Sequence, residues 1–189
     1  ALPDAPELAH RGDYKVGVRT VNFINKAQID ILRSKNGVDP LYDRPLKVEI
    51  WYPAIVPAGK KELASYEDSF GSRLDSTRPL LPFTFPGRAL RDAAADLKSA
   101  AFPLVIVSHG YPGSRVLLSY LTENLASKGY VVVAIDHTES THADQQGFPS
   151  TLLNRSKDIQ FILNQIAEAG QPGRNSFLSG LVDANNTSL

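Results

Sequence analysis

PLVIVSHGYPGS, residues 103–114, sets an unalternating apolar run directly before a serine, a histidine and two glycines. Residues 104–107 are few, rich in β-branched side chains and free of polar alternation, the pattern of a strand covered on both faces. Such a strand is predicted to lie centrally in a sheet. Gly110 and Gly113 bracket Tyr111 and Pro112, a composition that lets the main chain bend sharply and turn N–H groups outward. A turn of that kind binds an anion, or an oxygen that becomes one during a reaction.

Downstream, residues 115–128 carry Val116, Leu117, Tyr120, Leu121 and Leu125 near helical spacing, with Gly129 where a C-terminal cap belongs. YVVVAI, residues 130–135, is a second continuous apolar run, closed by Asp136 and His137. Strand, helix, strand is the unit of a parallel sheet with a right-handed crossover. Residues 152–169 then place Leu153, Ile159, Ile162, Leu163 and Ile166 on a second helical stripe, ended by Gly170 and Pro172. The strand this helix returns to is expected only after the polar stretch 173–189. Two parallel strands alone expose a hydrophobic sheet edge. Either another chain completes the sheet or these residues are part of a larger protein; the expectation is that residues 1–189 form a single partial domain whose sheet is completed by a C-terminal segment on another chain.

Upstream, residues 16–24 and 46–52 alternate in strand fashion, and the turn signal NGVDP between them allows an antiparallel ribbon. Residues 54–101 are the least regular part. They include PAGKK, STRPLLPFTFPGR and an Ala-rich, charged piece at 88–99, and read as a surface excursion of loop with one or two short helices.

With 189 residues, 42% of them hydrophobic and 21% charged, the composition is that of one globular domain. Twenty basic residues against twenty acidic ones leave no net charge, and so no electrostatic ground for a nucleic-acid or anionic-membrane partner. No apolar run approaches the ~20 residues of a membrane span. The absence of cysteine excludes a disulfide framework and thiolate metal sites but fits either redox compartment. The chain begins at Ala1 and contains no methionine, from which removal of an upstream segment is expected. A secreted or periplasmic location after processing is compatible with that, and the compartment stays open.

LKVEIWYPA (residues 46–54), PLVIVSHGYPGS, GYVVVAIDHTEST (residues 129–141) and NRSKDIQFILNQI (residues 154–166) together resemble α/β-hydrolases of the platelet-activating-factor acetylhydrolase and dienelactone-hydrolase-like group. The resemblance spans most of the chain from Val16. It implies an α/β fold: the N-terminal part of an α/β-hydrolase, with a mostly parallel sheet, an antiparallel N-terminal ribbon and crossover helices. It implies a serine esterase for short-chain or oxidised acyl esters, or polyester oligomers, with a small ester as substrate and no cofactor or metal. In such hydrolases the turn after His-Gly supplies one backbone N–H of the oxyanion hole. Here that N–H belongs to Tyr111, with Gly110 and Tyr111 bordering the substrate. A donor already aimed at a tetrahedral oxyanion contributes about 3–4 kcal/mol. The nucleophile elbow Gly-x-Ser-x-Gly occurs nowhere in the chain; PGSRV has Gly113 directly before Ser114 and FLSGL has a glycine only directly after Ser179, so neither has a glycine at the motif's positions. Serine, acid and histidine are thus assigned to the C-terminal half, and this chain alone is expected to be inactive.

The remaining polar residues have blander readings. His109 is read as a buttress of the turn and His137 as a second support of the site. DHTESTHAD, residues 136–144, looks like a metal cluster, but its histidines are five apart and a solvated loop near the site mouth is expected. Ser108 and Ser114 become nucleophiles only if a base reaches them. Arg155 and Asp158 are expected to pair and fasten helix to sheet. Trp51 and Tyr52 read as core aromatics; Phe83 and Phe85 fit either a substrate channel or a packed patch. Two rivals from other classes are a non-catalytic binding module of the same fold and a phosphate or nucleotide binder. The second is disfavoured by the lack of any Gly-x-Gly-x-x-Gly or Gly-Lys-Ser/Thr motif.

Overall fold

The computed structural model describes residues 10–189. β1 (Val16–Ile29) and β2 (Leu41–Ile55) form the antiparallel ribbon, longer at both ends than the alternation indicates. Their register runs from Val16 opposite Pro53 to Ile29 opposite Leu41, with an irregularity between Asn25 and Gln28. Along β2, Leu46, Val48, Ile50 and Tyr52 point into one core, while Trp51 points into a second. Both aromatics are fully buried, as core aromatics at a strand end.

Residues 54–101 differ from expectation. They contain a hairpin of β3 (Ser65–Phe70) and β4 (Leu81–Pro86), then the short strands β5 (Leu90–Arg91) and β6 (Ala94–Ala95), and no helix. The backbone of β2 captures the Ala-rich piece: Ala54 and Ile55 pair with Ala95 and Ala94, and Tyr52 OH donates to Ala93 O at 2.8 Å. Local helix propensity yields to a sheet edge that is already in place.

The second half follows the strand–helix–strand expectation: β7 (Phe102–Ser108), α1 (Ser119–Ser127), β8 (Val131–Asp136), α2 (Phe148–Gly170) and β9 (Val182–Ser188). The mixed sheet has the order β5-β1-β2-β8-β7-β9, with β6 on β2. β7 is parallel to β8 on one side and to β9 on the other, which makes it interior. β9 corrects the expectation that α2 returns to no strand within these residues. Its VDANNTS side chains carry no strand pattern. The buried Leu181 and Val182 anchor its start, and backbone pairing with β7 carries the polar remainder. Among the described residues the outer edge of β9 has no partner strand.

One core lies between the sheet and α2, with Leu104, Ile106, Val133, Ile135, Ile162 and Ile166. The other lies on the α1 side around Trp51, Val116, Ala126 and Val132. α1 is rotated from its predicted phase. Leu117, Tyr120 and Leu121 are exposed, whereas Ser119, Thr122, Glu123 and Ala126 are buried. Small side chains let the helix approach the strands closely. Glu123 explains the rest: its Oε1 accepts from Tyr66 OH and from Arg88 N, both at 2.7 Å, and Tyr66 OH accepts from Trp51 Nε1. No helix among the described residues is long and apolar enough to cross a membrane.

Candidate active site

β7 and β8 end side by side, with Ser108 opposite Ile135. Leu104 and Ile106 point toward α2, and Ser108 continues their series; Val133 and Ile135 do the same on β8, followed by His137. On β2, Arg44 continues the series of Leu46, Val48 and Ile50. On α2, Asn154 and Asp158 precede Ile162 and Ile166 at steps of four, and all four are buried. The apolar core therefore ends in a polar row where the parallel strands terminate.

That row is one hydrogen-bonded chain. Arg44 grips Asp158 in two places, Nε to Oδ1 at 2.8 Å and Nη2 to Oδ2 at 3.0 Å. Its Nη2 also donates to Thr138 O, and its Nη1 to Glu139 Oε2 at 3.1 Å. Asp158 Oδ2 accepts from His137 Nδ1 at 3.0 Å, and His137 Nε2 lies 2.9 Å from Ser108 Oγ. Arg44 and His137 are 1% exposed, Asp158 0%. Burial is the largest influence on His137 and pushes its pKa down; Asp158 opposes this, while Arg155 and Arg44 add to it. The imidazole is thus neutral, donating from Nδ1 and accepting the Ser108 hydroxyl proton at Nε2.

A base does reach Ser108, which sequence reasoning left open. Hydroxyl, imidazole and carboxylate stand in nucleophile–base–acid order. Arg44 already neutralises the carboxylate, so Asp158 is poorly placed to stabilise an imidazolium. The row is better suited to holding the ends of β2, β7, β8 and α2 in one geometry.

The turn stands on that row. His109, 3% exposed, donates from Nδ1 to Gly110 O at 2.6 Å and accepts the His137 N–H on Nε2 at 3.2 Å. Burial pushes its pKa down to about 4. Arg155 does not pair with Asp158 as the i, i+3 spacing indicates. It donates to the carbonyls of His109 and Gly110, the latter at 3.1 Å, and to Ser140 Oγ at 2.7 Å. Tyr111 OH reaches Gln146 O, and its ring meets Phe148 edge-on at 5.0 Å. The N–H groups of Gly110 and Tyr111 meet no backbone acceptor among the described residues.

The two glycines of the turn have unequal duties. A Cβ on Gly110 meets nothing within 4 Å, whereas one on Gly113 falls 2.7 Å from His109 Nδ1. His109 is fixed at both nitrogens and cannot retreat. Gly113→Ala is expected to cost about 1–3 kcal/mol of stability through overpacking, and Gly110→Ala no more than about 0.5 kcal/mol. Urea denaturation of the two variants checks this; equal losses would contradict it.

Beyond Asp136, which ends β8, residues 137–144 are a loop, but a largely buried or half-buried and hydrogen-bonded one rather than the solvated loop expected there. Ser140 and His137 are buried, Ser150 Oγ donates to Glu139 Oε2, and Asp144 Oδ2 accepts the Glu139 N–H at 2.9 Å. His142 turns away from His137 to Gly71 O. No three His, Cys, Asp or Glu among the described residues are disposed to hold a metal. Beyond Gly113, a cleft of about 240 Å³ opens between the β3–β4 hairpin and the strand ends, lined in part by Asp68, Ser114, Arg115, Asp136 and His142. Ser114 Oγ donates to Asp68 Oδ2 there, and Arg115 bridges Asp136 and Glu49. Phe83 stacks on Phe70 at 4.5 Å and Phe85 meets Tyr66 at 5.5 Å, so both phenylalanines belong to the hairpin.

The sequence model of the family described as "Platelet-activating factor acetylhydrolase, isoform II" matches residues 9–168. Among solved structures, a ferulic acid esterase from Streptomyces cinnamoneus is similar with a TM-score of 0.60 and 24% identity, over 93% of this chain and 51% of that one. The chain spans about half the length of that solved relative. The likeness carries the fold: the mixed sheet with its two crossover helices is α/β-hydrolase-like and partial in this chain.

Proposed function

The chain belongs to the platelet-activating factor acetylhydrolase, isoform II family, and from that premise we propose that it is the oxyanion-turn half of a serine-dependent carboxylic ester hydrolase. Tyr111 N–H holds the oxyanion, Gly110 and Tyr111 border the substrate carbonyl, and His109 and His137 support the turn from below. The nucleophilic serine, acid and histidine come from the C-terminal half of the same hydrolase, a second chain that pairs with the outer edge of β9. That serine attacks the ester carbonyl while its histidine takes the proton; the tetrahedral oxyanion collapses to an acyl-enzyme, and water releases the acid. Short-chain and oxidised acyl esters are the primary substrates proposed, with polyester oligomers next. The solved relative's name adds ferulic acid esters to the substrates worth testing. The chemistry requires no cofactor.

The observation that carries this reading is the pair of N–H groups at Gly110 and Tyr111, free of backbone acceptors, beside the carboxyl ends of the parallel strands. Open α/β sheets bind their ligands at those ends. The test is intact mass under denaturing conditions, with p-nitrophenyl ester hydrolysis before and after a serine-reactive fluorophosphonate. An adduct on a second polypeptide, with loss of hydrolysis, is the expected result. An adduct on Ser108 instead would move the nucleophile into this chain and make Ser108, His137 and Asp158 the working array. Folded protein with neither adduct nor hydrolysis would replace the enzyme by a non-catalytic binding module.

A further inference from the structure

We propose that Arg155 is the positioning residue of the oxyanion donor: its guanidinium holds the carbonyls of His109 and Gly110 and thereby turns the Gly110 and Tyr111 N–H groups outward. The inference rests on the ester-hydrolase reading for its catalytic consequence, but the geometry stands by itself. The C=O of Gly110 and the N–H of Tyr111 belong to one planar peptide, and in a trans peptide they point in opposite directions. The only cis peptide among the described residues is the following one, Tyr111–Pro112. Gly110 O accepts from Arg155 Nη2 at 3.1 Å and from His109 Nδ1 at 2.6 Å, so the Tyr111 N–H faces away from both. The same holds one residue earlier, where Arg155 Nη1 takes the His109 carbonyl. Two consecutive peptides are thus oriented by one side chain.

The head of Arg155 is itself fixed. Its Nη2 donates to Ser140 Oγ at 2.7 Å, and Ser140 is buried and further tied to Thr151 Oγ1 at 3.2 Å. Among the described residues no carboxylate comes within ion-pair distance of Arg155. Its hydrogen bonds therefore go to the two turn carbonyls and Ser140, with no carboxylate competing for them at contact distance. A charged donor on a carbonyl polarises the peptide and strengthens the N–H at its other end, and the charge itself favours a nearby developing oxyanion. Lysine cannot reproduce this, because three acceptors need the planar fork. A side chain that merely fastened α2 to the turn would affect stability and leave the chemical step of the folded enzyme unchanged.

Arg155→Gln and Arg155→Lys are compared with the wild type in the esterase as purified, with any partner chain retained. For Arg155→Gln, kcat is expected to fall about 100-fold, the scale of a lost oxyanion donor, with KM within about twofold; Arg155→Lys recovers only part. In the same variants the carbonyl ¹³C resonances of His109 and Gly110 and the amide resonances of Gly110 and Tyr111 shift. A loss carried in KM, or a kcat within about threefold of wild type, overturns the proposal. Should the wild type hydrolyse no ester, the ester-hydrolase reading fails separately and the resonances decide: four shifted nuclei uphold the clamp, and unshifted ones overturn it. Should Arg155→Gln fail to fold, Ser140→Ala takes its place, with a smaller kcat loss and the same split expected, and an unchanged kcat overturning.

Discussion

Asp158→Ala is expected to lower folding stability by about 3–5 kcal/mol, the range for breaking a buried ion pair from one side. Arg44, 1% exposed, loses both contacts of its carboxylate fork and keeps Glu139 as its remaining anionic partner. Burial pushes the guanidinium pKa down while Asp158 and then Tyr42 raise it; without Asp158 the charge still stays, because a guanidinium remains protonated at any working pH. The same substitution leaves His137 Nδ1–H without an acceptor in a buried site, which adds to the loss. Asp158→Asn keeps the volume and one acceptor oxygen and should fall between the wild type and alanine. The double replacement Arg44→Met, Asp158→Leu should recover much of the loss, because apolar groups of similar size leave no charge stranded. Urea unfolding of the four proteins measures this. A loss under about 1 kcal/mol for Asp158→Ala would mean that water enters and solvates Arg44, and that the row is not the dry bracket inferred from its burial.

Much of the fold was legible because burial on both faces leaves a simple signature. Residues 104–107 and 130–135 are unalternating apolar runs, and both became interior strands, while the alternation at residues 46–52 marked the half of β2 that lies against other strands. β9 escaped because VDANNTS is held by backbone pairing rather than by apolar side chains. α1 was placed correctly but rotated, since a face that approaches strands closely prefers Ser119, Thr122 and Ala126 to the leucines that periodicity favours. The polar row had a visible trace. Arg44 stands two residues before Leu46 in a core-facing series, and Asn154 and Asp158 stand at steps of four before Ile162 and Ile166. Polar residues on an otherwise apolar stripe signal a buried network. Their pairing did not follow from spacing: Arg155 and Asp158 are three apart on one helix, yet each found partners that only the assembled strand ends provide.

Between pH 7 and pH 4 the His109 site alone is expected to remove about 3 kcal/mol of stability, following the difference between an unfolded histidine near 6.5 and a folded one near 4. Burial is the main cause of the folded value, with His137 and Arg155 acting in the same direction and the Gly110 carbonyl and Asp136 opposing. Protonation at Nε2 would also turn the acceptor of the His137 N–H into a second donor facing it. The unfolded chain therefore binds the proton first as pH falls. Near pH 5 it holds just under one more proton at this site than the folded chain, a slope of about 1.2 kcal/mol per pH unit. The contribution is complete above about 6.5 and lost on descent to about 4. His137, also pushed down by burial, steepens the decline in the same sense. Stability of the wild type and of His109→Asn, measured by urea unfolding at half-unit steps from pH 7 to 4, isolates the site. The gap between the curves should close or reverse by about 3 kcal/mol towards pH 4. Parallel curves would mean that the folded turn accepts the proton, and that the bond from His137 N–H to His109 is not what fixes the ring. Because His109 and Arg155 share the Gly110 carbonyl, kcat of the esterase proposed above should hold while stability falls from pH 6.5 and drop only towards pH 4, where the folded ring itself takes the proton.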